Sequence, residues 1–122
     1  MEETYTKTKS FPHNLKASGM VPPDWTPWWG KVQHKTEISP GLWHCSTASH
    51  GGVWVDPNLR DLIPEEARTT GHSTCPWYEE DCDAAIPVYL FTNDEKDRGM
   101  ALESLQRWRP ELVPILKEAR NK

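Results

Sequence analysis

The chain has 122 residues, which suits one domain and leaves too little sequence for two domains with separate cores. Hydrophobic residues make up 36% of it, and no apolar run approaches the roughly 18 residues that a membrane span needs. The first residues lack the basic and apolar regions of a signal peptide. We therefore expect a cytoplasmic protein with no membrane partner.

Charge is distributed unevenly along the chain, whose formal net charge is -4. Residues 56–97 carry eleven acidic and three basic side chains, whereas residues 98–122 carry six basic and three acidic ones. An acidic middle third repels the phosphates of nucleic acids and can attract a basic protein surface. The sequence therefore predicts a partner protein with a basic surface and no direct contact with nucleic acid.

An extended arm is predicted for residues 1–30, because this stretch contains four prolines and few aliphatic side chains. Trp25, Trp28 and Trp29 cluster at its end. Indoles are rarely left in water, since each carries about 150–250 Å² of mostly apolar surface. We expect the arm to lie across the domain here. The alternative is a partner-binding epitope anchored by Trp28 and Trp29.

Short strands are predicted to follow the arm, because polar and apolar side chains alternate between turn residues. They fall at residues 31–38, 42–47 and 53–55. Gly51 and Gly52 are expected to lie in the turn between the second and third strands, where glycine allows tight turning and close backbone approach. Asp56 is predicted to cap a short helical turn that begins at Pro57.

Helical periodicity characterises the C-terminal half. Residues 77–86 are predicted to form a helix whose apolar stripe leaves Glu80 and Asp83 on the solvent side, with Glu79 at the margin of that side. Residues 88–91 are predicted to form a buried strand. Asn93 or Asp94 is expected to cap the last helical region, residues 94–120, which is predicted to form one kinked helix or two helices in succession.

These elements predict the α+β fold class. The expected architecture is a small antiparallel sheet of about three to four strands with two to three helices packed on one face. A single domain is predicted over residues 31–122, with the extended arm before it.

The three cysteines are expected to be reduced in the cytoplasm. Cys82 lies on the apolar stripe of the predicted helix and is assigned to the core. A zinc site is the alternative, with Cys45, His50, His72 and Cys75 as its ligands, although only His72 and Cys75 have the spacing of a ligand pair. We predict that no metal is needed for folding and that the protein has no cofactor.

An enzymatic alternative centres on His50, which follows several serines and precedes the paired glycines. A small hydrolase or nuclease, with or without a metal, would use His50 as a base together with Asp81 or Glu80. A histidine beside paired glycines is more often a turn residue that bonds to the backbone. The sequence therefore favours a protein that is not an enzyme.

Two motifs carry a resemblance: Ser-Thr-x-Ser-His-Gly-Gly at residues 46–52 and Trp-Tyr-Glu-Glu-Asp-Cys at residues 77–82. In this order they resemble an uncharacterised domain family of bacteriophages, plasmids and proteobacteria, chiefly alphaproteobacteria, over roughly residues 42–113. The resemblance implies a mobile-element setting and no established activity. It also implies that the two motifs lie side by side. Because glycine permits close approach, we expect His50 to donate a hydrogen bond to a carboxylate there, such as Asp81.

Together these features predict an accessory protein of a phage or another mobile element that binds a host protein. Its specific form is an inhibitor of a host defence complex, of the anti-CRISPR or anti-restriction type, acting in the host cytoplasm. Acidic residues would steer association and tryptophans would anchor it. The predicted partner-binding residues are Glu79, Glu80, Asp83, Trp28 and Trp29. The sequence determines neither the partner nor the oligomeric state.

Overall fold

The structure, a computed structural model, describes residues 16–27, 29–70, 73–80 and 82–121. This part of the chain is α+β, as predicted, with antiparallel sheets and four α-helices. The helices are α1 (Pro57–Arg60), α2 (Ala85–Phe91), α3 (Glu95–Trp108) and α4 (Val113–Arg120), and short 3-10 turns lie at Glu65–Ala67 and Pro110–Leu112.

The main sheet has six strands, so the prediction of three to four strands is wrong. A separate two-stranded sheet is formed by β1 (Trp25–Thr26) and β2 (Gly30–Lys31). The strands of the main sheet are β3 (His34–Ser39), β4 (Leu42–Ser46), β5 (Gly51–Val55), β6 (Thr69–Thr70), β7 (Ser73–Thr74) and β8 (Trp77–Glu79), in the spatial order β3-β4-β5-β8-β7-β6. Three of them lie in stretches that were predicted as loop or helix.

The helix predicted over residues 77–86 is wrong, because Trp77–Glu79 is strand β8. In the sheet Trp77 lies opposite Trp54 and Tyr78 lies opposite Val53, so both aromatic side chains are buried, on opposite faces. A strand that is buried on both faces has no alternation to distinguish it from a buried helix. The strand predicted at residues 88–91 is also wrong, since these residues belong to α2.

The paired glycines lie inside β5 and not in a turn. The turn before them is made by residues 47–50, where the Thr47 backbone N–H donates to the His50 carbonyl at 2.8 Å. The predicted turn at the glycines is therefore wrong, and the reason for two glycines in a strand is close approach by side chains from both faces of the sheet.

Several local predictions are confirmed. Asp56 caps α1, with its carboxylate accepting from the Asn58 N–H at 2.9 Å, and Pro57 occupies the first helical position. Asp94 caps α3 by accepting from the Asp97 N–H. Two helices in succession, α3 and α4, fill residues 95–120. None of the described helices is long and apolar enough to cross a membrane.

Hydrophobic packing covers both faces of the sheet. On one face α2, α3 and α4 pack against Leu42, Val53, Val55 and Tyr78. On the other face a smaller cluster contains Val32, Cys45, Trp54 and Trp77, with Trp29 and Trp43 at its border. We call the first the helix face and the second the Trp face. The residues described within 16–32, here the N-terminal segment, contribute Val32 and Trp29 to the Trp face.

Candidate functional site

The N-terminal segment is fixed to the domain by a buried carboxylate. Ser18 donates to the two oxygens of Asp56, from its backbone N–H at 3.1 Å and from its hydroxyl at 2.6 Å. Asn58 donates from its side chain to the Lys16 carbonyl at 2.9 Å. Asp56 therefore caps α1 and also ties down the segment. The predicted boundary between an arm of residues 1–30 and a domain of residues 31–122 stays a prediction.

Trp29 fixes the other end of the segment to the Trp face. Its ring meets that of Trp77 edge to face, with 5.9 Å between the centroids and 77° between the planes. The same indole covers Gly52, where a Cβ atom would overlap the ring and the Tyr78 carbonyl. Trp29 is thus a packing residue of this chain, as the expectation of an arm lying across the domain requires. Trp28, the other predicted anchor, lies outside the described residues.

Trp25 has the opposite environment from Trp29, because its side chain is 65% exposed. Its backbone is nevertheless held on both sides. The Asp24 carbonyl accepts from the Val32 N–H at 2.7 Å, and the Thr26 hydroxyl accepts from the Trp29 N–H at 2.7 Å. The β1–β2 hairpin therefore presents a large indole to solvent from a fixed position.

The residue that precedes Trp25 in the chain, Asp24, is acidic. Lys35 donates to Asp24 Oδ1 at 2.8 Å and to the Pro22 carbonyl at 2.6 Å. The hydrogen bond and the charge of Lys35 hold the pKa of Asp24 below its ordinary value. Asp24 is therefore ionised at neutral pH next to the exposed Trp25.

On the helix face Glu80 lies over Gly51 and reaches His44. Glu80 Oε1 is 3.1 Å from His44 Nε2, and both side chains are about half exposed. A Cβ atom at Gly51 would fall 2.5 Å from the same oxygen, so the missing side chain is what lets the carboxylate lie there. Glu80, proposed as an acid for His50, is paired with His44 instead.

His50 lies in the exposed turn between β4 and β5. Its Nδ1 is 2.8 Å from the Ser49 hydroxyl, and its backbone N–H donates to the Thr47 hydroxyl at 3.1 Å. The two family-like motifs are indeed neighbours, since Gly52 pairs with Glu79 and the Glu80 N–H donates to the Gly51 carbonyl. Asp81, the expected acceptor from His50, lies outside the described residues.

Asp83 is 1% exposed, so its predicted position on the solvent side is wrong. Its carboxylate accepts from the Ser73 hydroxyl at 2.7 Å and from Arg109 Nη2 at 2.9 Å. The helical projection failed because residues 77–79 are a strand. Because side chains alternate between the two faces of a strand, Glu79 lies on the Trp face, opposite Gly52, and Glu80 lies on the helix face. The acids predicted to form one surface are therefore dispersed.

The candidate zinc ligands are not grouped in the part of the chain that the structure describes. Cys45 is buried on the Trp face, Cys75 and Cys82 are half-buried, and His50 is in the exposed turn. His72 lies outside the described residues. Within those residues no three histidine, cysteine or acidic side chains are placed to hold a metal ion.

Cys45 is expected to be the least reactive thiol in the folded protein. Burial raises its pKa from 9.0 to about 11, so at pH 8 its thiolate fraction is about a hundredfold lower than that of an ordinary thiol. Because the pKa of Cys45 is raised in the folded state, the contribution of its protonated thiol to the stability of the fold is complete below pH 9. This contribution is lost as the pH rises through about 11.

The rate of modification by a thiol reagent at pH 8, with and without guanidinium, compares the reactivity of the Cys45 thiol in the unfolded and folded protein. The Cys45→Ala variant should lose the slow phase in the folded protein and keep the others. Modification of Cys45 at the same rate in both conditions would contradict the prediction.

Sequence reasoning did not select Trp25, His44 or Arg109 as key residues. The sequence did contain a signal for Trp25. Thr26 and Gly30 are suited to close a hairpin, which fixes the backbone next to Trp25. For His44 and Arg109 no local signal existed, because their partners are 36 and 26 residues away in the sequence.

The profile of a protein family described as a domain of unknown function (DUF7007) matches residues 22–120. The match begins within the N-terminal segment and includes Trp25, both glycines of β5 and all four helices. Comparison with curated proteins and with solved structures finds no match.

Proposed function

The chain belongs to the DUF7007 family, a domain of unknown function, and we propose that it acts by binding another protein and not by catalysing a reaction. One observation carries the proposal: Trp25 is 65% exposed on a hairpin whose backbone is fixed. Tryptophan is enriched among the residues that dominate binding energy. A side chain presented from a fixed backbone also loses less freedom on association, which favours affinity.

Exposed acidic residues away from Trp25 support a partner with a basic surface, since beside Trp25 the charge of Asp24 is paired with Lys35 and Lys31 lies opposite in the hairpin. Asp24, next to Trp25, is ionised and its side chain is 75% exposed. Other exposed acidic residues lie before β6 and around the start of α3: Asp61, Glu65, Glu66, Asp94, Glu95 and Asp97. We expect the partner to accept the indole in an apolar depression and to place lysine or arginine against these other exposed carboxylates.

This proposal moves the binding surface away from residues 79–83. Asp83 is buried, and Glu79 and Glu80 lie on opposite faces of the sheet. Only Glu80 of the three is exposed, and it is paired with His44. The anchor is likewise Trp25 in place of Trp29, whose ring is packed on Gly52 and Trp77.

The resemblance to a family of phages and plasmids supports a biological setting for the proposal. A mobile element benefits from occupying a basic surface of a host protein, since such surfaces commonly bind nucleic acid. The specific function that we propose is inhibition of a host defence complex, of the anti-CRISPR or anti-restriction type, in the host cytoplasm. The exposed carboxylates would compete there with nucleic-acid phosphates.

The Trp25→Ala variant is expected to bind its partner at least about thirtyfold more weakly, because truncation of a central anchor typically costs about 2 kcal/mol or more. The loss should appear mainly in the dissociation rate. The measurement uses the partner captured from host lysate, with association and dissociation rates at two salt concentrations. Higher salt should slow association.

Trp108→Ala is the matched control, since Trp108 is an exposed indole on α3 with 56% exposure. It should leave binding and folding unchanged, whereas Trp29→Ala should lower thermal stability. Binding that survives Trp25→Ala, or that is lost equally with Trp108→Ala, would contradict the proposed surface.

One observation favours the hydrolase alternative, namely the 2.8 Å contact between the Ser49 hydroxyl and His50 Nδ1. A serine bonded to an imidazole is the first requirement of an activated nucleophile. The same assays separate the two functions. Binding requires Trp25 and tolerates His50→Ala and Glu80→Gln, while a hydrolase would lose its biological effect with His50→Ala.

A further inference from the structure

Strand β3 lies at an edge of the main sheet, with no further strand beyond it among the described residues. It is the first strand of the main sheet and pairs only with β4 among the described strands. All six of its residues are exposed or half-buried, and none is proline. Backbone donors and acceptors along such an edge are a template for another strand unless the edge is covered or blocked.

We propose that β3 pairs with β3 of a second copy of this chain, antiparallel, about a two-fold axis that passes through Thr36. Such pairing is isologous, because each copy contributes the same residues to the interface. It would join the two six-stranded sheets into one continuous sheet. The regular part of β3, His34–Glu37, contains the axis and lies before the register shift between Glu37 and Ser39, where Ile38 has no partner in β4.

The charges of Lys35 and Glu37 favour this register over its neighbours. Lys35 and Glu37 are two residues apart and lie on the same face of β3, opposite Cys45 and Trp43 of β4. An axis at Thr36 places Lys35 of each copy directly opposite Glu37 of the other. Shifting the axis to Lys35 or to Glu37 would place two lysines or two glutamates face to face. Opposite charges across a strand pair stabilise it and like charges destabilise it.

Both charged side chains already have fixed positions within one copy. Lys35 is held by the Pro22 carbonyl and Asp24, and Glu37 Oε2 accepts from the Gly41 N–H at 3.3 Å. Little side-chain freedom would therefore be lost on association.

The opposite face of β3 is also self-compatible. Thr36 would face Thr36 of the other copy, a favourable cross-strand pair. The edge thus combines a charged pair on one face with a threonine pair on the other.

The test uses Thr36, the position at which the same residue of the two copies would lie face to face. With Thr36→Lys, two like charges would lie opposite each other at the axis, and the same holds for Thr36→Glu. Each variant alone is expected to dimerise at least about tenfold more weakly than the natural chain. An equimolar mixture should form a dimer with one copy of each. Sedimentation equilibrium measures the affinity, and native mass spectrometry with one variant isotopically labelled identifies the mixed dimer.

Thr74→Lys is the matched control, because Thr74 is an exposed threonine in β7 of the same sheet. It should dimerise as the natural chain does. Thr36 is itself exposed, so circular dichroism and thermal unfolding should show unchanged folding for both variants.

Several outcomes would overturn the proposal: a natural chain that stays monomeric at high micromolar concentration, dimers of the Thr36 variants as tight as those of the natural chain, or a mixture that fails to pair. The inference is independent of the proposed function. Trp25→Ala is expected to retain the dimer while losing the partner, so the failure of either proposal can be recognised separately.

Discussion

Replacing Gly52 by alanine is expected to lower the free energy of unfolding by about 3 kcal/mol, the upper end for overpacking a well-packed site. The added Cβ atom would overlap both the Trp29 ring and the Tyr78 carbonyl. The carbonyl belongs to the neighbouring strand β8 and cannot turn away, so β5 and β8 must move apart locally, and the indole must also leave its place on Trp77. The change therefore acts on the sheet and on the N-terminal segment together. Urea denaturation followed by tryptophan fluorescence measures it.

Gly51→Ala is the matched control, one residue away and on the other face of the same strand. Its Cβ atom would meet the carboxylate end of Glu80, a half-exposed side chain that can swing into solvent. We expect a loss below about 1 kcal/mol, together with loss of the contact between Glu80 and His44. Equal stabilities of the two variants would show that Trp29 is not held against Gly52.

Replacing Arg109 by leucine is expected to destabilise the fold by about 3–5 kcal/mol, because it leaves the buried Asp83 carboxylate without its cation. Arg109 Nη2 bonds to Asp83 Oδ1 at 2.9 Å, and its Nε donates to the Thr70 hydroxyl at 3.1 Å. The guanidinium thus joins the end of α3 to β6 and to the start of α2. Thermal and urea unfolding measure the loss.

Arg107→Leu is the control for the loss of a positive charge, since Arg107 is exposed on the last turn of α3. It should change stability by no more than about 0.5 kcal/mol. Adding Asp83→Asn to Arg109→Leu should recover part of the loss, because a neutral amide can still accept from Ser73 without a buried charge. A cost for Arg109→Leu no larger than that for Arg107→Leu would contradict the buried ion pair.

These expectations assign structural roles to much of the two family-like motifs. Thr47 closes the turn before β5, the glycines make room for Glu80 and Trp29, and Tyr78 donates to the Ala67 carbonyl at 2.8 Å. Trp25, by contrast, lies outside both motifs and contributes little to the described packing. This contrast is why the proposed binding surface is sought on the β1–β2 hairpin.

The sequence alone determined the features that depend on neighbouring residues. The α+β class, the strands beginning near His34 and Leu42, the caps at Asp56 and Asp94, and the division of the last helical region all follow from short-range signals. A capping carboxylate bonds to N–H groups two or three residues away, and strand alternation repeats every two residues. Such signals need no knowledge of the rest of the fold.

Only the tertiary structure determined which secondary structure residues 77–86 adopt and which groups their acidic side chains contact. Trp77 and Tyr78 are buried on both faces by β5 and by elements distant in sequence, so their apolar pattern fits a helix as well as a strand. Asp83 is buried because Ser73 and Arg109 converge on it, and of the two described tryptophans of the N-terminal segment Trp29 packs over Gly52 whereas Trp25 is exposed. These positions depend on contacts between residues far apart in the chain, which local periodicity does not encode.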